Sequence, residues 1–172
     1  MSISESPIAF SLEDLLDALE TRLEFEETIY KLPLTKALEQ CLRFAQANNL
    51  TELAEFVNQE LNGYSVQPPS DRVVQLSYFD TGGQLINGLS QYSRYPLTIG
   101  VHKLELRVKN GLTLILPTQI STFLSQVVGC EVESGHISPF EINKLLESIR
   151  DVVIQKLKGM KSAPLSLDPF KF

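Results

Sequence analysis

The chain has 172 residues, of which 43% are apolar and 21% charged, values typical of one globular domain. No apolar run approaches the ~20 residues of a membrane-spanning helix, and the first ten residues lack the basic and apolar parts of a secretory signal. The net charge of −6 arises in the first 27 residues, which contain eight acidic side chains and one arginine. Because no basic stripe is present, nucleic-acid binding is not favoured, and we expect a cytoplasmic protein without membrane association.

The first third of the chain predicts two helices after a loose arm over residues 1–9. Ser11 is followed three residues later by Asp14, the spacing of a helix cap, and the leucine stripe after it predicts a helix to about Ile29. Pro33 is predicted in the first turn of the second helix, where its missing N–H costs no hydrogen bond. The stripe of this second helix ends at an Asn-Asn pair.

A third helix is predicted within residues 48–64. Asn49 is expected to cap it by accepting a hydrogen bond from the amide of Glu52, and Gly63 to close it in the left-handed conformation. The short break before it predicts that the second and third helices pack as a pair. Its core-facing stripe consists of Leu50, Leu53, Ala54, Val57 and Leu61.

The middle of the chain predicts β-structure. Residues 72–80 are rich in β-branched and aromatic side chains and predict one strand, followed by a turn at 81–83 and a possible return strand at 84–87. Residues 88–100 are predicted to be irregular. The apolar pattern of residues 101–109 fits either a strand or a short helix.

The last third predicts strands and helices in turn. Residues 112–116 predict a strand, residues 117–129 a helix that begins at a proline and ends at a glycine, and residues 130–133 a further possible strand. At 138–141, a serine cap, a proline and a glutamate predict the start of a long helix that ends near Lys158.

Residues able to carry catalysis are few and scattered. His102 and His136 lie in different segments without metal-ligand spacing, and each is predicted to be a surface or helix-end residue. The sequence contains neither a phosphate-binding loop nor a serine-hydrolase elbow. Cys41 and Cys130 are predicted to be reduced, buried thiols. We therefore assign no catalytic, cofactor-binding or metal-binding residue, and an enzyme is not favoured.

The remaining charged residues have structural interpretations. Glu60 and Asn62 are expected to serve the end of the third helix, and Arg150 to form an ion pair on the last helix. The acidic first 27 residues are interpreted as a solvated helix face, or otherwise as a docking surface for a basic partner. Four residues of the β portion could line a polar cleft, although turn and ion-pair roles fit them better: Asp71, Arg72, Asp80 and Arg94.

The last residues of the chain, 161–172, form an apolar tail in which Pro164 and Pro169 block a helix. Such a tail either folds back over its own domain or reaches into a groove or sheet edge of another subunit or partner. The second interpretation predicts four partner-binding residues: Leu165, Leu167, Phe170 and Phe172.

Several of these segments together resemble a known family. The sequence ELAEFVNQELNGY, preceded by LTKALEQCLRFAQ, is similar to the signature of the AbiTii domain of bacterial abortive-infection proteins. HKLEL, LILPTQISTFLSQVVG and INKLLESIRDVVIQKLKG follow in the order of that family, and the resemblance covers about residues 10–160. It implies a helix within 101–109 and a place in anti-phage defence, and it supplies no catalytic residues.

These observations predict a mainly helical α+β domain over residues 10–160, with a small antiparallel sheet in its middle. The function that we expect is a non-enzymatic interaction or regulatory module of a bacterial anti-phage system, bound to itself or to another protein. The alternative is a toxin-like effector, such as a nuclease or nucleotide-degrading enzyme, whose site is formed by dispersed residues.

Overall fold

A computed structural model describes residues 11–20 and 32–162. Helices outweigh strands, and the strands form small antiparallel sheets, so the predicted mainly helical α+β class is confirmed. The helices are α1 (Leu12–Glu20), α2 (Leu34–Ala47), α3 (Thr51–Asn62), α4 (Val101–Glu105), α5 (Thr118–Val128) and α6 (Pro139–Ser162). The strands are β1 (Val73–Gln75), β2 (Ser77–Phe79), β3 (Leu85–Ile86), β4 (Arg94–Pro96), β5 (Leu112–Ile115) and β6 (Ser134–Ile137).

Some predicted features lie outside the described residues. These are the arm over residues 1–9, the end of the first helix near Ile29 and the tail beyond Ser162. The division into arm, domain and tail therefore stays a prediction. None of the described helices has the length and apolar character needed to cross a membrane.

The described residues form two compact units: residues 11–20, 32–63 and 149–162 belong to the first, and residues 64–148 form the second. In the first unit, α2 packs against both α1 and α3, which confirms the predicted pairing of the second and third helices. The later part of α6 joins the same unit: Lys158 Nζ lies 2.7 Å from Glu20 Oε2, and Lys156 Nζ lies 4.7 Å from the centre of the Phe56 ring.

The predicted cap of α1 is confirmed. The Asp14 amide donates to Ser11 Oγ at 3.1 Å, and the Ser11 amide donates to the Asp14 carboxylate at 3.4 Å. This reciprocal pair satisfies backbone donors that the first turn of a helix otherwise leaves without acceptors. Pro33 occupies the position just before α2 rather than its first turn, one residue earlier than predicted.

The predicted cap of α3 is wrong. Asn49 has a φ of 56° and closes α2: its amide donates to the Gln46 carbonyl, and the Leu50 amide donates to the Ala45 carbonyl at 2.8 Å. This pattern needs a left-handed residue after the helix, and asparagine tolerates that conformation better than most residues. Leu50 therefore precedes α3, and no side chain caps the helix.

The predicted stripe of α3 forms its core contacts, since Leu53, Val57 and Leu61 are buried. Gly63 has the expected positive φ of 110°, but its ψ of 162° places it in an extended region that only glycine occupies readily, and not in the left-handed helical region. The chain leaves the helix here, and the Tyr64 amide donates to the Thr98 carbonyl at 2.9 Å.

The strand predicted over residues 72–80 is in fact two strands in different sheets. β1 pairs antiparallel with β4 in a two-stranded sheet, whereas β2 lies between β3 and β6 in a four-stranded sheet of order β3-β2-β6-β5. The chain changes sheet at Leu76, whose amide donates to the Ser93 carbonyl at 2.8 Å. The predicted return strand is β3, and it pairs with β2 as expected.

Two further β-predictions need correction. Residues 88–100, predicted to be irregular, contain a 3-10 helix at Ser90–Tyr92 and the strand β4. Residues 130–133 are not a strand, and β6 begins immediately after them. The reason is local: the Val132 carbonyl accepts from Ser121 Oγ, and the Val132 amide donates to Ser125 Oγ, so α5 holds this backbone in place of a neighbouring strand.

The remaining elements agree with expectation. The ambiguous segment 101–109 contains α4, as the family resemblance implied, and β5 and α5 fall where predicted. The α6 cap is confirmed, with the Glu141 amide donating to Ser138 Oγ at 3.2 Å. The Glu141 carboxylate accepts from the Gln75 amide at 3.0 Å, which ties the start of α6 to β1. The helix continues to Ser162, four residues beyond the predicted end.

Candidate protein-interaction surfaces

Helix α5 presents an apolar face to the surface of the second unit. Among its residues only Leu124 is buried, whereas Ile120, Phe123 and Val127 are 46%, 47% and 42% exposed. Their spacing of three and four residues places them on one side of the helix. The helix has no acidic or basic residue, so this α5 face is a strip of uncharged surface.

The α5 face is held in place at its polar side and at its aromatic end. Ser125 Oγ donates to the Ser121 carbonyl within the helix, and both serines bind the backbone of Val132. The Tyr92 ring meets the Phe123 ring edge to face at 5.3 Å, and the Tyr78 hydroxyl donates to the Tyr92 carbonyl. A partner would therefore meet a surface that is already organised.

A second apolar surface is a groove between α4 and β5, with a volume of about 450 Å³. The turn after α4 continues its helical path, because the Leu106 amide donates to the Lys103 carbonyl and the Arg107 amide to the Leu104 carbonyl. Lys103 and Arg107 both border the groove. The lining residues are Ile99, Lys103, Leu104, Leu106, Arg107 and Leu112.

Arg72 supports this groove from inside the protein. Its side chain is fully buried, and Nη1 donates to the Leu97 carbonyl at 2.6 Å and to the Ile99 carbonyl at 2.9 Å. The guanidinium also lies 5.2 Å from the centre of the Tyr64 ring. From the sequence, this arginine is expected to line a polar cleft or to serve a turn or an ion pair. In the sequence, the only sign that Arg72 is buried is its position directly before an apolar strand.

A shallow polar pocket surrounds His136, and Asp80, Thr113 and Glu133 contribute to its lining. Nδ1 lies 2.9 Å from Thr113 Oγ1, the ring packs edge-on against Phe79, and a Cβ added to Gly111 would meet Nε2 at 2.7 Å. The nearby Asp80 carboxylate accepts from two amides of its own turn, those of Gly82 and Gln84. The ring is thus fixed by structural contacts on three sides.

Other polar residues singled out from the sequence lie on separate helices. His102 is exposed on α4, Glu60 is buried in α3, and Asn62 donates to the side chain of Asn58 and not to a helix-end carbonyl. Arg150 is buried on α6. Across the part of the chain that the structure describes, no cluster of three His, Cys, Asp or Glu residues is arranged to bind a metal ion.

The two cysteines differ, although both were predicted to be buried. Cys41 is a free thiol in the core of the first unit, and burial raises its pKa to about 12. Cys130 is also free, but it is exposed, which corrects the prediction. The apolar pattern around Cys130 misled the prediction because Gly129 ends α5 with a left-handed turn and leaves the thiol outside the packed helix.

The four predicted partner-binding residues of the tail, Leu165, Leu167, Phe170 and Phe172, lie outside the described residues, so their role stays a prediction.

The fold and its surfaces define an α+β protein that exposes apolar surface and holds the His136 ring in structural contacts. The AbiTii family model matches residues 26–168, and the chain therefore belongs to the AbiTii family. The family name points to a role in abortive infection, a bacterial defence against phage. No curated protein matches the chain, and no solved structure matches it.

Proposed function

We propose that this AbiTii-family protein is an interaction or regulatory module of a bacterial anti-phage system, that it acts in the cytoplasm, and that it performs no catalysis of its own. The observation that supports this proposal is the α5 face. Three large apolar side chains, Ile120, Phe123 and Val127, remain nearly half exposed on an uncharged helix. Isolated apolar residues are common on protein surfaces, but a rigid strip of them is typical of a binding site.

The α5 face is too small to form a stable protein–protein interface by itself. Burial of apolar surface contributes ~25 cal/mol per Å², and a stable interface between proteins usually buries about 1,600 Å² in total. Three partly exposed side chains supply only the centre of such an area. A partner must therefore also cover surface around α5, with Phe123 as the aromatic anchor near the middle.

The alternative, a toxin-like enzyme, has less support. General acid–base catalysis needs a titratable group within hydrogen-bond reach of the substrate and free to exchange a proton. His136 is engaged by Thr113 and closely packed against Gly111, and the Asp80 carboxylate is used by its own turn. His102 lies on a different element, α4.

The experiment is a surface substitution in the full chain, Ile120→Ser together with Phe123→Ser. We expect loss of phage protection, and of the partner captured from phage-infected cells, with an unchanged circular dichroism spectrum. The matched control is Val66→Ser with Phe140→Ser, two apolar side chains outside α5 that are each 68% exposed, and this variant should keep both properties. Full protection by a folded Ile120→Ser, Phe123→Ser protein would refute the role of the α5 face.

A further inference from the structure

The groove between α4 and β5 borders a strand that has a free edge. In the four-stranded sheet β5 is the end strand, so one of its edges has no strand partner among the described residues. The groove reaches β5 at Leu112, and its other wall is formed by Lys103, Leu106 and Arg107. A groove between a strand edge and a helix accepts an extended peptide, whose backbone pairs with the strand while alternate side chains enter the groove.

The groove also has a defined charge. Lys103 and Arg107 are exposed on its rim, and within residues 11–20 and 32–162 neither cation forms an ion pair with a carboxylate. The inner lining is aliphatic, with Leu104 fully buried at its base. Such a site fits a peptide that has aliphatic side chains on one side and a carboxylate on the other.

The sequence of this chain contains a segment of that description. Residues 165–168, Leu-Ser-Leu-Asp, place two leucines on one side of an extended backbone and Asp168 on the other. Pro164 and Pro169 enclose the segment and end any strand pairing, because proline cannot donate a backbone hydrogen bond. The four residues between the prolines match the four residues of β5.

We propose that the tail of one copy of this chain binds in the α4–β5 groove of a second copy. Leu165 and Leu167 enter the aliphatic groove, Asp168 meets Lys103 and Arg107 at the rim, and the tail backbone pairs with the β5 edge. This inference rests on the proposed interaction function, for which it names a partner and a second site.

A second copy is the occupant we choose because the tail has a short tether. Helix α6 continues to Ser162, so three residues lead to Leu165 and span at most about 10 Å. None of the residues that line the groove lies on α6. A tail from another copy has no such limit on its reach.

The binding experiment uses the full-length chain with Leu165→Ser and Leu167→Ser, which keeps the groove but weakens its own tail. A fluorescein-labelled peptide of residues 163–172 is titrated against this protein, and fluorescence anisotropy measures binding. We expect saturable binding that weakens at least tenfold when Lys103→Glu and Arg107→Glu are added. The control pair Lys36→Glu and Arg43→Glu, exposed on α2 with the same change in net charge, should shift the affinity less than twofold.

Absence of saturable binding, or equal effects of the two charge-reversal pairs, would overturn the groove assignment. The Ile120→Ser, Phe123→Ser substitutions, placed in the same tail-weakened chain, should leave peptide binding unchanged. A failure of the α5 experiment and a failure of this one can therefore be told apart.

The choice of a second copy is tested by the mass in solution, measured by light scattering. The intact chain should associate, and both the tail variant (Leu165→Ser, Leu167→Ser) and the groove variant (Lys103→Glu, Arg107→Glu) should be monomeric. A mixture of these two variants restores one intact tail and one intact groove, so it should associate again. If the intact chain stays monomeric at a protein concentration equal to the dissociation constant of the peptide, the second-copy proposal is wrong.

Discussion

At the residue scale, Gly111 and Gly83 have nearly the same positive φ angle in different surroundings. Their φ angles are +77° and +80°, which are strained for any other residue. A Cβ at Gly111 would collide with the Ile137 carbonyl oxygen, whereas nothing lies within 4 Å of a Cβ at Gly83. The pair therefore separates the cost of the backbone angle from the cost of the close approach.

We predict that Gly83→Ala lowers the free energy of unfolding by about 1 kcal/mol, the cost of the backbone angle alone. Gly111→Ala should lower it by roughly 2 kcal/mol more, because the strand packed on Gly111 must also move. Urea denaturation of the two variants gives the comparison. Equal losses would mean that the sheet adjusts freely around Gly111.

The two thiols are predicted to react differently with an aromatic disulfide reagent at pH 8. Cys130 is exposed and should react within seconds to minutes, while Cys41 should react only when the protein unfolds, because burial excludes the reagent and raises the pKa to about 12. A Cys130→Ser variant should show no fast reaction. Two fast thiols in the native intact chain would contradict the burial of Cys41.

The raised pKa of Cys41 also gives a dependence of stability on pH. Between pH 9 and about 12 an unfolded chain loses this proton and the folded chain keeps it, so the stability falls as the pH rises through this window. The slope approaches ~1.4 kcal/mol per pH unit. Urea denaturation at pH 8 and pH 10 should show a smaller loss for a Cys41→Ala variant than for the intact chain.

At the element scale, α3 is a short helix that depends on its buried stripe. Val57 is fully buried at the centre of this stripe, and a carboxylate there would have neither water nor a cation. We predict that Val57→Asp costs about 3 kcal/mol or more, measured by thermal or urea unfolding. Asn58→Asp is the control, since this neighbour is exposed and should change the stability little. An unchanged melting temperature for Val57→Asp would refute the core assignment.

The sequence predicted helices better than strands because helix signals are local. The caps at Ser11 and Ser138 involve residues only three positions away, and both formed as expected. The prediction that Asn49 caps α3 was wrong because an asparagine suits either the end of one helix or the start of the next. Here it closes the preceding helix, α2.

Strand predictions failed where pairing depends on distant residues. Residues 72–80 have a uniform composition, but they form two strands. The first, β1, pairs with β4, and the second, β2, pairs with β3 and β6. Nothing in the run itself marks Leu76 as the point of division. At Val132 the distant residues prevent a strand. Two serines of α5 form hydrogen bonds with the backbone amide and carbonyl that would otherwise pair with a neighbouring strand.

At the scale of the whole molecule, the sequence predicts the apolar side of α5 but neither its exposure nor the groove between α4 and β5. The apolar stripe of α5 is plain in the sequence, yet a stripe shows which face is apolar and not whether another element covers it. Leu124 is covered, while Ile120 and Phe123 are not. The groove between α4 and β5 brings together residues from separate elements, so only the fold could reveal it.

The proposed function predicts that protection against phage does not require either histidine. His102→Ala combined with His136→Ala should retain the phenotype of the intact protein, because the His136 ring is engaged by Thr113 and His102 lies apart from it on α4. Circular dichroism verifies that the variant is folded, since the second substitution removes the contact with Thr113. Loss of protection in a folded double variant would favour the enzyme interpretation.

One edge of β5 has no strand partner among the described residues, and this has a consequence for how the protein behaves at high concentration. The strand Leu-Thr-Leu-Ile contains no charge and no proline, and its Ile115 side chain is 92% exposed. Strands of this composition act as templates on which other chains misassemble into insoluble β-rich aggregates. We therefore expect overproduced protein whose tail cannot cover this edge, such as the Leu165→Ser, Leu167→Ser variant, to precipitate at concentrations well above those of the light-scattering measurement, and Ile115→Lys to raise its solubility.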